Sequence, residues 1–304
     1  MIKKALLKRN FLKILDILKA KKLLLLNLSI LLFYSIVIII AYFLYGAVLN
    51  FVLDIVFLIV ISFMTYFTKS NKFLNNSILC IALLLTYEAL RSVTGIIINA
   101  DNMFPLASID KAIFGFNFVG TIQKTFISST VTLISTFFYE LHLPLVIIAM
   151  VLFWFINRNA YKGYTYSLIL TSFLALMTFA IFPTAPPWLS GTANNLLTDG
   201  YEMLLRPFNT LRQTFIFVEY DKFAAFPSLH MAYTVIFFVY TIKLNKKLSL
   251  ISIPVLLGML FSTIYLGQHY VIDLVAGIAY SLMGFFIVEK IISRSGSINN
   301  MPIK

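Results

Sequence analysis

Apolar residues in this chain come in long blocks, and the blocks are of bilayer-crossing length. Runs of about 17–25 predominantly apolar residues suffice to span a membrane as helix. Such runs fall at 23–45, 51–68, 78–99, 139–157, 164–182, 226–242, 248–266 and 270–289. The pattern predicts an all-α, polytopic membrane helical bundle with about eight transmembrane helices. Composition agrees: 60% of the 304 residues are hydrophobic and 12% charged, with mean hydropathy +0.92, against roughly 45–50% apolar and 25% charged in soluble domains. No repeat or low-complexity linker divides the chain, so it reads as one bundle with two long extracytoplasmic excursions, 101–138 and 183–225.

The interruptions between blocks carry the next signal. Residues 101–138 hold Pro105, Gly115, Gly120 and many hydroxyl side chains, which suits helices lying along the interface. The stretch Phe182-Pro183-Thr184-Ala185-Pro186-Pro187-Trp188 ends a helix, because proline lacks an amide donor and disfavours helix in the residue before it. Trp188 there fits an interfacial aromatic position.

Charge then sets orientation. A net charge of +12 alone invites a nucleic-acid reading, but the basic residues collect in alternate loops, as the positive-inside rule requires. Residues 1–22, the pair Lys69 and Lys72, the pair Arg158 and Lys162, the trio Lys243, Lys246 and Lys247, and the chain from Lys290 onward all fall on one side. The opposite loops are near neutral. Both termini are therefore expected in the cytoplasm of a cell-membrane protein, with no nucleic-acid partner. Residues 1–22 form either a basic amphipathic segment on an anionic leaflet or a solvated tail, 23–77 two accessory transmembrane helices, and 291–304 a cytoplasmic tail. The first apolar run is too long for a signal-peptide core and lacks a small-residue cleavage site, so it reads as a retained anchor. The single cysteine, Cys80, lies in an apolar run and reads as packing.

Against this topology the three histidines are informative. His142, His230 and His269 all stand near the outer starts of apolar runs, at one depth and on one side. A lone histidine is usually structural; three at one surface point to acid–base or nucleophilic work near neutral pH. His269 and Asp273 are four apart, which places them on one face if the last span is helical from its start. A buried aspartate beside an imidazole fixes its tautomer and leaves the other ring nitrogen as nucleophile; the alternative is a structural His–Asp tie between helices. Pro227-Ser228 before an apolar run predicts a serine N-cap, leaving amides at a helix N-terminus where phosphate binds. His230 stands just inside it. Glu88 and Arg91 form an intramembrane pair, with Arg91 either a phosphate ligand or Glu88's partner.

Four stretches together carry a resemblance: Phe182–Trp188, Ala224-Ala225-Phe226-Pro227-Ser228-Leu229-His230, Tyr265-Leu266-Gly267-Gln268-His269-Tyr270-Val271-Ile272-Asp273 with Gly277, and more loosely Asp110-Lys111-Ala112-Ile113-Phe114-Gly115. Over roughly 78–290 the chain resembles the type 2 phosphatidic acid phosphatase superfamily, the lipid phosphate phosphatases and haloperoxidases, in its inositol phosphorylceramide synthase-like branch. The resemblance implies a catalytic six-helix core at 78–290 in which His269 attacks phosphorus, His230 is acid and then base, and Asp273 orients His269. It further implies a covalent phosphohistidine and no metal or other cofactor. Ser228, Arg91, Lys222, His142 and Gln268 are the expected substrate- and phosphate-binding residues. The chain departs from the wider family where an arginine is usual six residues before the nucleophile, which here is Thr263, and it lacks the first phosphate-binding motif.

The expected activity is a membrane phosphotransferase that moves a phosphoryl or phospho-headgroup from a phospholipid or lipid phosphate to an alcohol or lipid acceptor on the extracytoplasmic face. The alternative is a lipid phosphate or polyprenyl diphosphate phosphatase with the same histidines and water as acceptor. A non-enzymatic transporter or scaffold would instead scatter polar residues at mid-membrane depth.

Overall fold

The computed structural model describes residues 104–207 and 223–299, together with Cys80 and Leu84. The chain divides into two compact units, Met1–Ala89 and Leu90–Lys304. The expected spans at 23–45 and 51–68 lie outside the described residues, as do Arg91 and Lys222; of the span at 78–99 only Cys80 and Leu84 are described, both helical.

Among the described residues of the second unit, the regular elements are all helices, with one isolated bridge between Thr184 and Ala224. Its helices are α1 (Leu106–Phe114), α2 (Phe118–Phe126), α3 (Ser129–Glu140), α4 (His142–Ile156), α5 (Arg158–Ile181), α6 (Leu196–Leu204), α7 (Leu229–Leu244), α8 (Lys246–Tyr265) and α9 (Val271–Asn299). Helices α5, α8 and α9 are long and apolar enough to cross a membrane. Helices α3 and α4 qualify only together, as one span bent by 47°. The expected fourth span at 139–157 thus starts earlier, at Ser129, and is broken: Leu141 joins the two helices, and α4 opens on His142.

Local chemistry accounts for the corners. Asn157 and Asn245 each end one helix and start the next in extended backbone, and their side-chain oxygens accept the first free amides: Asn159 and Ala160 after the former, Lys247 after the latter. One residue therefore serves both neighbours, making tight hairpins of α4–α5 and α7–α8.

α7 is the centre of the bundle, packed against α4, α5, α8 and α9. Hydroxyl pairs tie the helices along their length: Ser172 to Tyr233 at 2.7 Å, Ser167 to Tyr240 at 3.2 Å and Thr178 to Tyr280 at 2.6 Å. Between apolar helices in lipid, such contacts hold the bundle where no hydrophobic difference does. Ile147, Phe155, Ile181, Leu250, Ile251, Leu257, Val275 and Phe286 point outward and exposed, as a lipid-facing surface requires.

Candidate active site

Three loop–helix junctions meet at one end of this bundle. The first is the start of α7. Ser228, fully buried, caps the helix by accepting from the Met231 amide at 3.4 Å, and its own amide donates to the Asp273 carbonyl at 3.0 Å. That contact brings α9 hard against residue 228. A Cβ at Gly277 would stand 2.3 Å from the Ser228 carbonyl oxygen, so only glycine allows the approach. His230 follows in the first turn of α7.

The second junction is the turn from α8 into α9, which carries His269. Gly267 sits at φ +78° with the Asn194 carbonyl oxygen 2.4 Å from where a Cβ would be, so both backbone and space demand glycine. The carbonyl of Thr263 accepts the amides of Gln268 at 3.1 Å and His269 at 3.0 Å. Thr263, where the wider family has arginine, is fully buried and shapes this turn.

Helix α9 begins at Val271, so His269 lies before the helix and not on its face. It meets Asp273 all the same. His269 Nδ1 is 3.4 Å from Asp273 Oδ2, and the same oxygen accepts the Tyr270 amide at 2.8 Å. A third-position carboxylate reaching back to the amide before its helix is half of a capping box. One carboxylate therefore closes the helix end and fixes the imidazole. Asp273 is fully buried, and its Oδ1 has no hydrogen-bond partner among the described residues.

The two histidines are in contact: His269 Nε2 is 3.4 Å from His230 Nδ1. An Nδ1–H on His269 directed at Asp273 leaves its Nε2 lone pair facing His230 Nδ1. The third junction, the bend between α3 and α4, closes on His230 from its other faces. Tyr139 stacks on the His230 ring with centroids 4.1 Å apart, and the His142 ring lies 4.1 Å away. His142 Nδ1 is tied to the Tyr139 carbonyl at 3.0 Å. The sequence-predicted residues His142, His230, His269, Asp273 and Ser228 thus come together.

Gln268 serves the loop above the site: its carbonyl oxygen accepts from Trp188 Nε1 at 3.0 Å and its amide donates to Asn195 at 2.9 Å. The proline-rich stretch links the two histidine segments. Thr184 pairs with Phe223 and Ala225 through its backbone and takes the Phe226 amide on Oγ1 at 2.8 Å, while the Trp188 amide donates to Gly267 at 3.1 Å. Sequence reasoning assigned no positioning role to Tyr139 or Thr184. The only available signals were Tyr139 standing three residues before His142 and Thr184 standing within a proline cluster.

His230, His269 and Asp273 thus meet at one end of an apolar bundle. Comparison with known proteins gives the class. The PAP2 superfamily profile matches residues 105–287, and the chain belongs to that superfamily. It is 25% identical over 222 residues to the phosphoinositol dihydroceramide synthase of Bacteroides thetaiotaomicron, a match covering 67% of this chain and 73% of that protein. No solved structure matches significantly. The protein is thus a membrane enzyme that transfers or hydrolyses phosphate groups on lipids.

Proposed function

We propose that this protein transfers a phospho-headgroup from a phospholipid to a lipid alcohol through a phosphohistidine on His269. The observation that carries the reading is the continuous relay Asp273–His269–His230, with contacts of 3.4 Å on each side of the His269 ring. Asp273 holds the Nδ1 proton, so the Nε2 lone pair attacks phosphorus. As the P–O bond to the donor's lipid alcohol breaks, His230 gives its proton to the departing oxygen. The acceptor hydroxyl then loses its proton to His230 and attacks phosphorus, and the P–N bond to His269 breaks. The phosphorus centre replaces the direct contact between the two rings. Ser228, His142 and the amides at the start of α7 are the proposed holders of the phosphoryl oxygens, with Arg91 and Lys222 the proposed cations.

The similarity to a phosphoinositol dihydroceramide synthase supports an inositol-type headgroup and a ceramide-like acceptor. The distribution of basic residues supports cytoplasmic termini and a site facing outward, with 1–22 lying on the inner leaflet, 23–77 as accessory spans and 78–290 as the catalytic core. The bent α3–α4 pair counts as one crossing, which keeps the later loops on their expected sides.

The test is partition of product. The purified protein in lipid nanodiscs is given phosphatidylinositol labelled separately in headgroup and acyl chains, with and without a ceramide acceptor. Label moving from the headgroup pool into the ceramide product supports transfer; release only as water-soluble phosphate ester identifies a hydrolase and rejects this reading.

A further inference from the structure

Helices α1 and α2 are short and face outward with Ile109, Ile113 and Phe126 exposed. Each nevertheless buries one polar side chain, Asp110 on α1 and Gln123 on α2, and burying a polar group is costly unless it is hydrogen-bonded. Both reach the turn that carries His269, from opposite ends.

Gln123, 3% exposed, uses its whole amide. Its nitrogen donates to the Tyr265 carbonyl at 2.9 Å, where α8 ends, and to the Asn194 carbonyl at 2.8 Å, while its oxygen accepts the Asn194 amide at 2.8 Å. The last carbonyls of a helix lack intrahelical partners, so this bond closes α8 and pins it to the loop beneath which Gly267 turns.

Asp110, 2% exposed, acts at the other end. The backbone amide of Val271, the first residue of α9, faces its carboxylate, whose Oδ1 has no hydrogen-bond partner among the described residues. The N-cap position of α9 is Tyr270, whose side chain has no oxygen near enough to cap: its hydroxyl is held by Ser190 at 2.6 Å and Thr192 at 2.9 Å. Asp273 supplies one half of the cap from within the helix, and Asp110 supplies a carboxylate from outside it. Burial raises the Asp110 carboxyl above its ordinary value, the Val271 amide opposes this, and the Asp273 carboxylate adds to the rise. Leu106, Tyr270 and Leu274 share a core cluster that seats α1 against this helix end.

We propose that Asp110 and Gln123 are positioning residues that grip the two ends of the 265–271 turn and so hold the His269 ring between Asp273 and His230. This rests on the assignment of His269 as nucleophile above. α1 and α2 are thereby part of the catalytic apparatus without touching substrate.

The test compares Asp110→Ala, Asp110→Asn, Gln123→Met and the double variant Asp110→Ala/Gln123→Met with wild type, using exposed Lys111→Ala as control, all as full-length protein in nanodiscs. Asparagine keeps an oxygen for the Val271 amide; methionine keeps the shape of glutamine without its bonds. Asp110→Ala and Gln123→Met are each expected to lower kcat about tenfold or more, since small misplacements of a reacting group are costly, with KM within about twofold. Amide hydrogen exchange in the peptide covering 265–272 should accelerate in both. Asp110→Asn should retain most of kcat, and the double variant should lose less than the product of the single losses, because both act on one turn. Gln123→Asn replaces Gln123→Met if the latter does not fold. Unchanged exchange in 265–272, or wild-type kcat in Asp110→Ala and Gln123→Met, overturns the proposal. Exchange reports on the turn even in a protein without lipid activity, so failure of the functional reading is distinguishable from failure of this one.

Discussion

Asp273 shows how one side chain serves folding and chemistry together. Its Oδ2 takes the Tyr270 amide and faces His269 Nδ1, so the helix end and the imidazole are fixed by the same atom. Replacing Asp273 by Asn keeps an acceptor for Tyr270 but removes the charge that holds the His269 proton on Nδ1. The expected result is a folded protein whose kcat falls by about 10²–10⁴, the range for lost acid–base alignment, read from initial rates of lipid turnover. The pairing of His269 with Asp273 was legible in the sequence because the two are four apart. The contacts of Gln123 with Asn194 and Tyr265 were not, because they bridge 71 and 142 residues and a lone polar residue on an interfacial helix has no local signature. Tyr139 was hidden for the same reason: its stacking on His230 follows from the bend between α3 and α4, which periodicity does not reveal.

At the scale of the elements, the apolar blocks at 164–182, 226–242, 248–266 and 270–289 correspond to α5, α7, α8 and α9. The largest displacement is at the end of α9, which continues to Asn299; α5 starts early, at Arg158, because Asn157 caps it directly. The start of α9 differs in a way that matters, since His269 belongs to the turn and owes its place to Gly267 and Thr263. α9 passes close against residue 228 at Gly277. Gly277→Ala puts a methyl carbon 2.3 Å from the Ser228 carbonyl oxygen, and backbone has little room to give. Overpacking of this kind costs about 1–3 kcal/mol, so a lower unfolding midpoint in detergent is expected together with reduced activity. A Gly277→Ala protein as stable and active as wild type would show that α9 and the α7 start are not in this register.

Residues 104–207 and 223–299 form an apolar bundle with the candidate site at one end. The histidines, the proline-rich strap and the capped starts of α7 and α9 gather there. Basic Arg158, Lys162, Lys243 and Lys246 stand at the other end, at the Asn157 and Asn245 corners. Membrane class and fold class were readable from block length and composition alone, because the bilayer imposes both. The sidedness proposed from the distribution of charge is testable in intact cells. Cysteine introduced at exposed Asp199 is expected to react with an impermeant maleimide from outside, whereas cysteine at Lys246 reacts only after permeabilisation; the reverse pattern would turn the site to the cytoplasm.

The central claim is that His269 carries the phosphorus. The most direct measurement uses donor lipid labelled with ³²P in its headgroup phosphate and a His230→Ala protein, in which the second step lacks its base, quenched without acid and mapped by mass spectrometry. Label bound to protein at His269 is expected, and none when His269→Ala is added. Label at another residue, or lipid turnover by the His269→Ala protein, would contradict it.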